Sequence, residues 1–452
     1  MFGSVLIANR GEIAMRVARA CRELGVRSVA VYSTEDRDSA VVRYADEAVH
    51  IGPGPAKRSY LNIAAIVEAA KQRGVDAVHP GYGFLSEDPD FAEACEKDGL
   101  VFIGPPPDVI ARLGDKVAAR ESMHRAGLPL LPGSLGPVGS VDEAREVAAR
   151  TGFPVMIKAA AGGGGRGIRV ATDPASFLQA YTAATNEAQT LFGDARVYIE
   201  RYLASARHVE VQILGDAYGD CVHLGVRECS VQRRHQKLLE ESPAPGLGPE
   251  TIARMGEYAV AGALAAGYVG AGTFEFLVDP DDQVSFMEVN CRIQVEHPVT
   301  ELVTGIDLVQ EQLRIADGEP LRFRQEQISN QGVALECRIN AEDPDRSFVP
   351  TAGRLDEFVL PGGPFVRVDT HGYPGYRMPA IYDPLLAKVL SWAPTREQAI
   401  ARMDRALEEF RATGPGVRTT AGFLRRVLAD EEFRSGSYDT GLVARLTGDT
   451  TA

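Results

Sequence analysis

Residues 284–297, Val-Ser-Phe-Met-Glu-Val-Asn-Cys-Arg-Ile-Gln-Val-Glu-His, place carboxylates, amides and a guanidinium at alternate positions. Drawn as an extended strand, whose side chains alternate between faces, the segment sets Glu288, Asn290, Arg292, Gln294 and Glu296 on one side. Val289, Cys291, Ile293 and Val295 fall on the other. Such a row can hold a cation at its Glu288 end and a small anion near Arg292, the layout needed to join phosphate chemistry to an oxyanion substrate. Glu296, four residues after Arg292 on the same face, can take a proton from that anion, and Arg292 is expected to depress the Glu296 pKa and keep it ionised. The plain alternative is a solvated polar face on a surface hairpin.

The preceding run, Gly272 to Val278, is separated from Val284 by the turn signal Asp279-Pro-Asp-Asp-Gln283. If the two runs pair so that residue numbers sum to about 563, Glu275 lies directly opposite Glu288. Two facing carboxylates are destabilising unless a positive charge lies between them. Mg²⁺, a hard cation that takes oxygen ligands, fits that place.

A second chemical feature is the glycine loop from Lys158 to Gly167. It formally contains G-x-G-x-x-G, but it leads into the apolar run Ile168–Val170 and not into a helix. Strand, glycine loop and strand make a flap whose backbone N–H groups can lie over phosphates, with Lys158 as a point charge. Residues 231–237 pack Gln232, Arg233, Arg234, His235 and Lys237 into one stretch. His208 opens an alternating run. Taken alone, the basic stretch is more often a solvated basic turn and His208 more often a structural histidine.

The elements that must position these groups form three blocks. Residues 1–130 alternate strand and helix: Val5–Ala8, a helix from Gly11 to Leu24, Ser28–Tyr32, a helix near Ile63–Arg73, Ala77–His79, a helix through Phe91–Lys97, and Val101–Ile103. That is the pattern of an open parallel α/β sheet. The Pro/Gly-rich stretch Leu128–Gly139 marks a boundary. Residues 131–203 then make a small domain carrying the glycine flap. Residues 204–452 are strand-rich, hold the hairpin and end in helices such as Arg396 to Thr413.

The 452 residues suffice for about three domains. A composition of 45 % hydrophobic and 24 % charged residues is that of a globular protein. A net charge of −14 argues against nucleic-acid or anionic-membrane partners. Neither a signal peptide nor a bilayer-spanning run is expected. Six cysteines without C-x-x-C spacing read as reduced core residues, so a cytoplasmic location is expected.

Taken together the motifs resemble the biotin carboxylases, ATP-grasp enzymes that are components of acetyl-CoA carboxylase and its relatives. The resemblance runs end to end. It is carried by Ile7–Ala14, His79–Glu87, Gly114-Asp-Lys116, the glycine flap, Arg227–Lys237, Gly270–Phe276, Arg292–Glu301 and Glu336–Pro344. It implies an ATP-grasp fold with an N-terminal α/β domain, a central lid and a C-terminal mixed α+β domain. It further implies ATP bound beneath the flap, Gly164 and Gly165 foremost, with Lys116, Lys158 and His208 on phosphates and Gln232 and His235 in the nucleotide site. Glu200, Arg201, Tyr202 and Leu203 would form the adenine edge. Glu275, Glu288 and Asn290 would ligate Mg²⁺ or Mn²⁺, two ions in all. Lys237, Arg292, Gln294, the Val295 backbone and Glu296 would cradle bicarbonate, and Arg338 would face the biotin ureido oxygen. Ala160, Arg201 and Cys291 depart from the residues frequent in the family, and none of them removes a catalytic group.

The activity implied is ATP-dependent carboxylation of biotin through carboxyphosphate, the first half-reaction of an acyl-CoA carboxylase, acetyl-CoA foremost. None of the eight methionines is followed by lysine, so the Met-Lys-Met turn of a biotin-bearing domain is not in this sequence. Biotin is therefore expected on a carrier on another chain, with a carboxyltransferase subunit and a second copy of this chain as further partners. An ATP-grasp ligase for another acceptor, and a non-catalytic scaffold, are the rival readings.

Overall fold

The structure is a computed structural model that describes residues 1–160 and 167–448. The N-terminal block folds as the alternation demands. Strands β1 (Ser4–Ile7), β2 (Arg27–Ser33), β3 (Glu47–Gly52), β4 (Ala77–His79) and β5 (Val101–Phe102) form a parallel sheet in the order β3-β2-β1-β4-β5. The connecting helices carry their own stop and start signals. Helix Ile63–Arg73 opens with the Asn62 side chain accepting the Ala65 N–H and closes on Gly74 in the left-handed region. Helix Pro89–Lys97 opens with Asp88 accepting from Asp90 and Phe91.

The small domain is an antiparallel sheet of β6 (Val155–Ala159), β7 (Ile168–Ala171) and β8 (Val197–Arg201), ordered β7-β6-β8. Helices Val141–Thr151 and Pro174–Phe192 bury Val147 and Phe177 against Ile157 and Ile199. Strands β6 and β7 flank the glycine flap as expected. Its residues 161–166, Gly164 and Gly165 among them, lie outside the described residues.

The Pro/Gly-rich stretch before this domain is not a free linker. Phe286 N–H donates to the Pro129 carbonyl at 2.7 Å, Arg201 N–H to Pro132 at 2.8 Å and Ser134 N–H to Ile199 at 2.8 Å. The chain thus runs as an extra edge from the hairpin onto β8. A side chain at Gly133 would place its Cβ 2.1 Å from the Ile199 carbonyl oxygen, so this close approach requires glycine.

The C-terminal block builds one antiparallel sheet from β9 (Arg207–Gly215), β10 (Cys221–Arg233), β11 (Gln236–Ser242), β12 (Gly270–Val278), β13 (Val284–Asn290), β14 (Val333–Asn340), β15 (Val366–Thr370) and β16 (Leu385–Ala393). The order is β13-β12-β9-β10-β11-β14-β16-β15. Its first half shares a core with the N-terminal domain through Val209, Val211 and Phe274, and its second half packs Leu335 and Val389 against Leu407 and Leu424. The whole is the mixed α/β architecture expected. Among the described residues no helix is long and apolar enough to cross a membrane.

Two expectations are corrected here. The segment 284–297 is extended only to Asn290, because the chain turns at 291–296 and enters helix His297–Thr304. The C-terminal helix stops at Glu409, and Arg411–Thr413 is a short strand on Glu357–Val359.

The sheet is pinned by Arg227, fully buried on β10. Its Nε donates to Glu210 at 2.5 Å, Nη1 to Gln212 at 2.7 Å and Thr300 at 3.0 Å, and Nη2 to Thr273 at 3.1 Å. It joins β10, β9, β12 and the helix after the site loop. Arg227→Met leaves Glu210 with less compensation and should cost about 3–5 kcal/mol in urea unfolding, the range for breaking a buried pair from one side. A cost near zero would show that the network repacks freely.

Candidate active site

The hairpin sets the frame. β12 and β13 pair with Thr273 opposite Asn290 and Glu275 opposite Glu288, the register expected. Beyond them Met287 is an extra residue, and Phe276 faces Phe286. This bulge bends the strand just where the carboxylates stand.

Around Glu275 four groups converge. His208 Nε2 lies 2.9 Å from Oε2, and Oε1 accepts from Asn290 Nδ2 at 2.9 Å, Lys237 Nζ at 3.1 Å and Gln294 Nε2 at 3.3 Å. Burial alone would raise the Glu275 pKa, but Lys237 and then His208 hold it far below the usual carboxylate range. Glu288 goes the other way: burial and then Glu275 push its pKa up, against Lys116, Lys158 and His208. One carboxylate is compensated and its neighbour is short of positive charge, with an amide oxygen-bearing side chain, Asn290, alongside. That donor set of hard oxygens suits a divalent cation. Two tighter clusters, His208/Glu210/Glu275 and Glu210/Cys229/Glu296, also bring ligand atoms together. Lys237 already sits on their carboxylates.

Lys237 is the hub. Its ammonium is 2.5 Å from Glu296 Oε1, 2.6 Å from Glu210 Oε2 and 3.1 Å from Glu275 Oε1. Arg338 Nη2 reaches the other Glu296 oxygen at 3.0 Å. Burial disfavours the Glu296 charge, but Lys237, Arg338 and Arg227 outweigh it and hold the pKa well below the normal range. Arg292, expected to depress it, is also attracted to Glu296, but the larger contributions come from Lys237, Arg338 and Arg227. Arg292 donates Nε to Glu87 at 2.8 Å, Nη1 to Gln294 at 2.9 Å and Nη2 to Asn290 at 3.1 Å.

The turn at 291–296 brings these side chains to one place by a different route from strand alternation. Glu87 Oε1 accepts the Cys291 N–H at 2.9 Å, and buried Lys388 donates to the Val295 carbonyl at 2.9 Å. Lys388 also lies 3.1 Å from Glu12 of the N-terminal domain. The Val295 carbonyl is therefore already engaged.

On the nucleotide side, Lys158 pairs with Glu200 at 2.7 Å, and Arg120 closes on the same carboxylate. Glu200 thus spends its side chain inside the protein. The N–H groups of Arg201 and Tyr202 donate to Pro132 and Pro154, so an edge here is offered by carbonyls and by Leu203. Lys116 starts helix Lys116–Arg125, where burial lowers its pKa and Glu288 draws it back up. Gln232 Nε2 lies 3.4 Å from His208 Nδ1. His235 occupies, with Arg234, the two-residue turn between β10 and β11, both at positive φ. Burial and then Lys158 and His208 lower the His235 pKa.

Glu87, Arg120, Glu210, Arg227 and Lys388 had no role in the sequence reading. Glu210 was within reach, because it alternates with His208 and Gln212 on one face. The others act between elements, Arg120 on Glu200 80 residues away, Arg227 on Thr300 73 away, Lys388 on Val295 93 away and Glu87 on Cys291 204 away, and no local spacing points to them.

Three family models match the chain. They are the biotin carboxylase N-terminal domain over residues 1–110, the carbamoyl-phosphate synthase L chain ATP-binding domain over 115–324, and the biotin carboxylase C-terminal domain over 336–445. The chain is 52 % identical over 441 residues to biotin carboxylase 1 of Bacillus subtilis, covering 97 % of this chain and 98 % of that one. A biotin carboxylase–β,γ-ATP complex from Campylobacter jejuni superposes with a TM-score of 0.95 at 45 % identity, covering 98 % and 99 %. The biotin carboxylase domain dimer of the Hydrogenobacter thermophilus 2-oxoglutarate carboxylase, with MgADP, ADP and bicarbonate, superposes at 0.94 with 46 % identity and full coverage of both chains.

Proposed function

The chain belongs to the biotin carboxylase family, and from that premise we propose that it carboxylates biotin held on a carrier, using ATP and bicarbonate as the first half-reaction of an acyl-CoA carboxylase. The observation that carries this reading is the Lys237–Glu296–Arg338 chain standing beside Glu275, Glu288 and Asn290. It sets an anion cradle, a base and a cation patch next to one another.

In this reading ATP lies between the small domain and the large sheet, with Lys116, Lys158 and His208 toward its phosphates. Gly164 and Gly165, outside the described residues, would supply backbone N–H groups to them, Gln232 and His235 line the site, and residues 200–203 edge the adenine. Glu275, Glu288 and Asn290 hold Mg²⁺ or Mn²⁺, which neutralises phosphate charge when bound. Lys237, Arg292, Gln294 and the Val295 backbone hold bicarbonate, whose proton passes to a Glu296 oxygen. The bicarbonate oxygen attacks the γ-phosphorus and ADP leaves, giving carboxyphosphate. Its breakdown to CO₂ and phosphate lets the phosphate take the biotin N1′ proton, and Arg338 stabilises the ureido oxygen. CO₂ then joins N1′.

The −14 charge and the hydrogen-bonded interior of the cleft fit small-molecule and carrier partners. The six unpaired cysteines fit a reducing, cytoplasmic setting. A homodimer and a separate carboxyltransferase complete the proposal. Transfer to acetyl-CoA rather than to a 2-oxo acid is tested by reconstituting the complete system with each acceptor.

ADP release measured with and without bicarbonate, and with free or carrier-borne biotin, tests the reading. Release should need bicarbonate. Carrier-borne biotin should be the far better substrate, by roughly 10²-fold or more, because tethering raises its effective concentration. Bicarbonate-independent release would favour a ligase for another acceptor, and equal use of free biotin would remove the carrier.

A further inference from the structure

Behind Arg338 the large sheet holds two glutamates with no place in the account above. Glu240 on β11 and Glu336 on β14 are directly opposite in the antiparallel ladder, and both are fully buried. Glu240 Oε1 accepts from Arg338 Nε at 2.6 Å and lies 2.5 Å from Nη2 in the same ion pair. Its Oε2 and both oxygens of Glu336 have no hydrogen-bond partner among the described residues. Two ionised carboxylates cannot rest in that arrangement, since like charges opposite one another destabilise a sheet. A desolvated, unpaired carboxylate takes up a proton instead. A proton on Glu336 donated to Glu240 Oε2 removes the repulsion and partners two of the three orphaned atoms.

Arg338 is therefore held from two sides, by Glu296 in the site and by Glu240 beneath it. We propose that Glu240 and Glu336 form a proton-sharing carboxyl pair that positions Arg338 toward biotin, Glu336 fixing Glu240 and Glu240 anchoring the guanidinium. This rests on the reading of Arg338 given under the proposed function. Neither glutamate touches substrate, so both are positioning residues.

The charged groups facing the pair are Arg338 on β14, Lys237 on β11, Glu296 from the turn before helix His297–Thr304, and Lys388 on β16. Burial, the largest influence, pushes the Glu240 carboxyl up to about 7 despite Arg338, and it pushes Glu336 well above the usual carboxylate range. As pH falls through neutrality the pair gains its second proton, and Arg338 loses the negative charge beneath it. Biotin-dependent turnover should then carry an acid limb that biotin-independent ADP release lacks.

The test compares biotin-dependent kcat/KM on a biotinylated carrier with ADP release in bicarbonate alone, across about pH 6–9. Glu240→Gln should lower the first at least roughly tenfold more than the second. In Glu336→Leu nothing donates to Glu240 Oε2, so its charge is less well held and the acid limb should move up by about one pH unit, whereas Glu336→Gln, whose amide N–H₂ takes the donor's place, should leave it near the parent's. Equal loss of both rates in Glu240→Gln, or an unmoved acid limb in Glu336→Leu, overturns the proposal. If Glu240→Gln does not fold, judged by circular dichroism, the acid limb of Glu336→Leu decides alone. Arg338→Lys is the control: if it leaves biotin dependence intact, the reading of Arg338 falls and this inference falls with it.

Discussion

Glu296→Gln is expected to lower bicarbonate-dependent ADP release by roughly 10²–10⁴-fold, the contribution of a positioned general base. The apparent affinity for ATP should change little. The carboxylate is fully buried, and Lys237 and Arg338 hold it ionised at any working pH. A carboxylate so strongly held is a weak base, yet the same cations stabilise the carbonate that forms when bicarbonate gives up its proton. The glutamine keeps the shape and loses both the charge and the proton acceptor. One of its two ends can no longer accept from a cation, so Lys237 and Arg338 compete for the remaining oxygen. Arg292→Ala should behave differently, because it frees Gln294, Asn290 and Glu87 and so weakens bicarbonate binding as well as turnover. Near-normal turnover in Glu296→Gln would mean that Glu296 only orients bicarbonate and that a phosphate oxygen takes the proton.

Glu288→Lys should abolish ATP turnover while leaving the fold intact. Glu288 is the carboxylate that burial and Glu275 hold short of positive charge, and Lys116 and Lys158 already approach it. A lysine there relieves the repulsion with Glu275 by a fixed ammonium and occupies the place of the cation. Thermal melting should therefore show a protein as stable as the parent or more so, since a facing carboxylate pair becomes an ion pair. ADP release should fall below detection at any Mg²⁺ concentration. Restored turnover at high Mg²⁺ would put the essential cation elsewhere.

Much of this site was legible in the residues, and what was not has physical causes. The facing of Glu275 and Glu288 follows from strand periodicity and turn length alone, and it holds for Thr273 to Glu275. The shift at Met287 does not follow, because a bulge is set by what packs on the strand and not by its own pattern. The row from Glu288 to Glu296 names side chains that the structure does bring together, but under a different backbone. Beyond Asn290 a turn delivers them, held by Glu87 and Lys388 from residues 204 and 93 positions away. Long-range ion pairs leave no periodic trace, so the sequence shows the pull between Arg292 and Glu296 but not the direct bond from Arg292 to Glu87. Helix Arg396–Glu409 shows the same limit at smaller scale, since pairing of Arg411–Thr413 with Glu357–Val359 overrides the helical pattern.

The path of the chain between Pro129 and Arg201 decides where the small domain can pivot. On the way in, Pro129 is bonded to Phe286 of the hairpin, Leu130 bridges to the same residue and Pro132 is bonded to Arg201 of β8, so Leu131 alone joins the two anchorages. On the way out, Tyr202 is tied to Pro154, and Ser205 and Ala206 are tied to Asp439 and Thr440, leaving Leu203 and Ala204. The domain hangs on two short pins set side by side, like a door leaf. Its far edge, where β6 ends at Ala159, stands four residues from the pin along the strand, about 13 Å at 3.3 Å per residue. A swing of about 20° would carry that edge by roughly 4–5 Å. Arg120, reaching from the body to Glu200 beside the pins, grips the leaf where leverage is least, so it can hold alignment without stopping the swing.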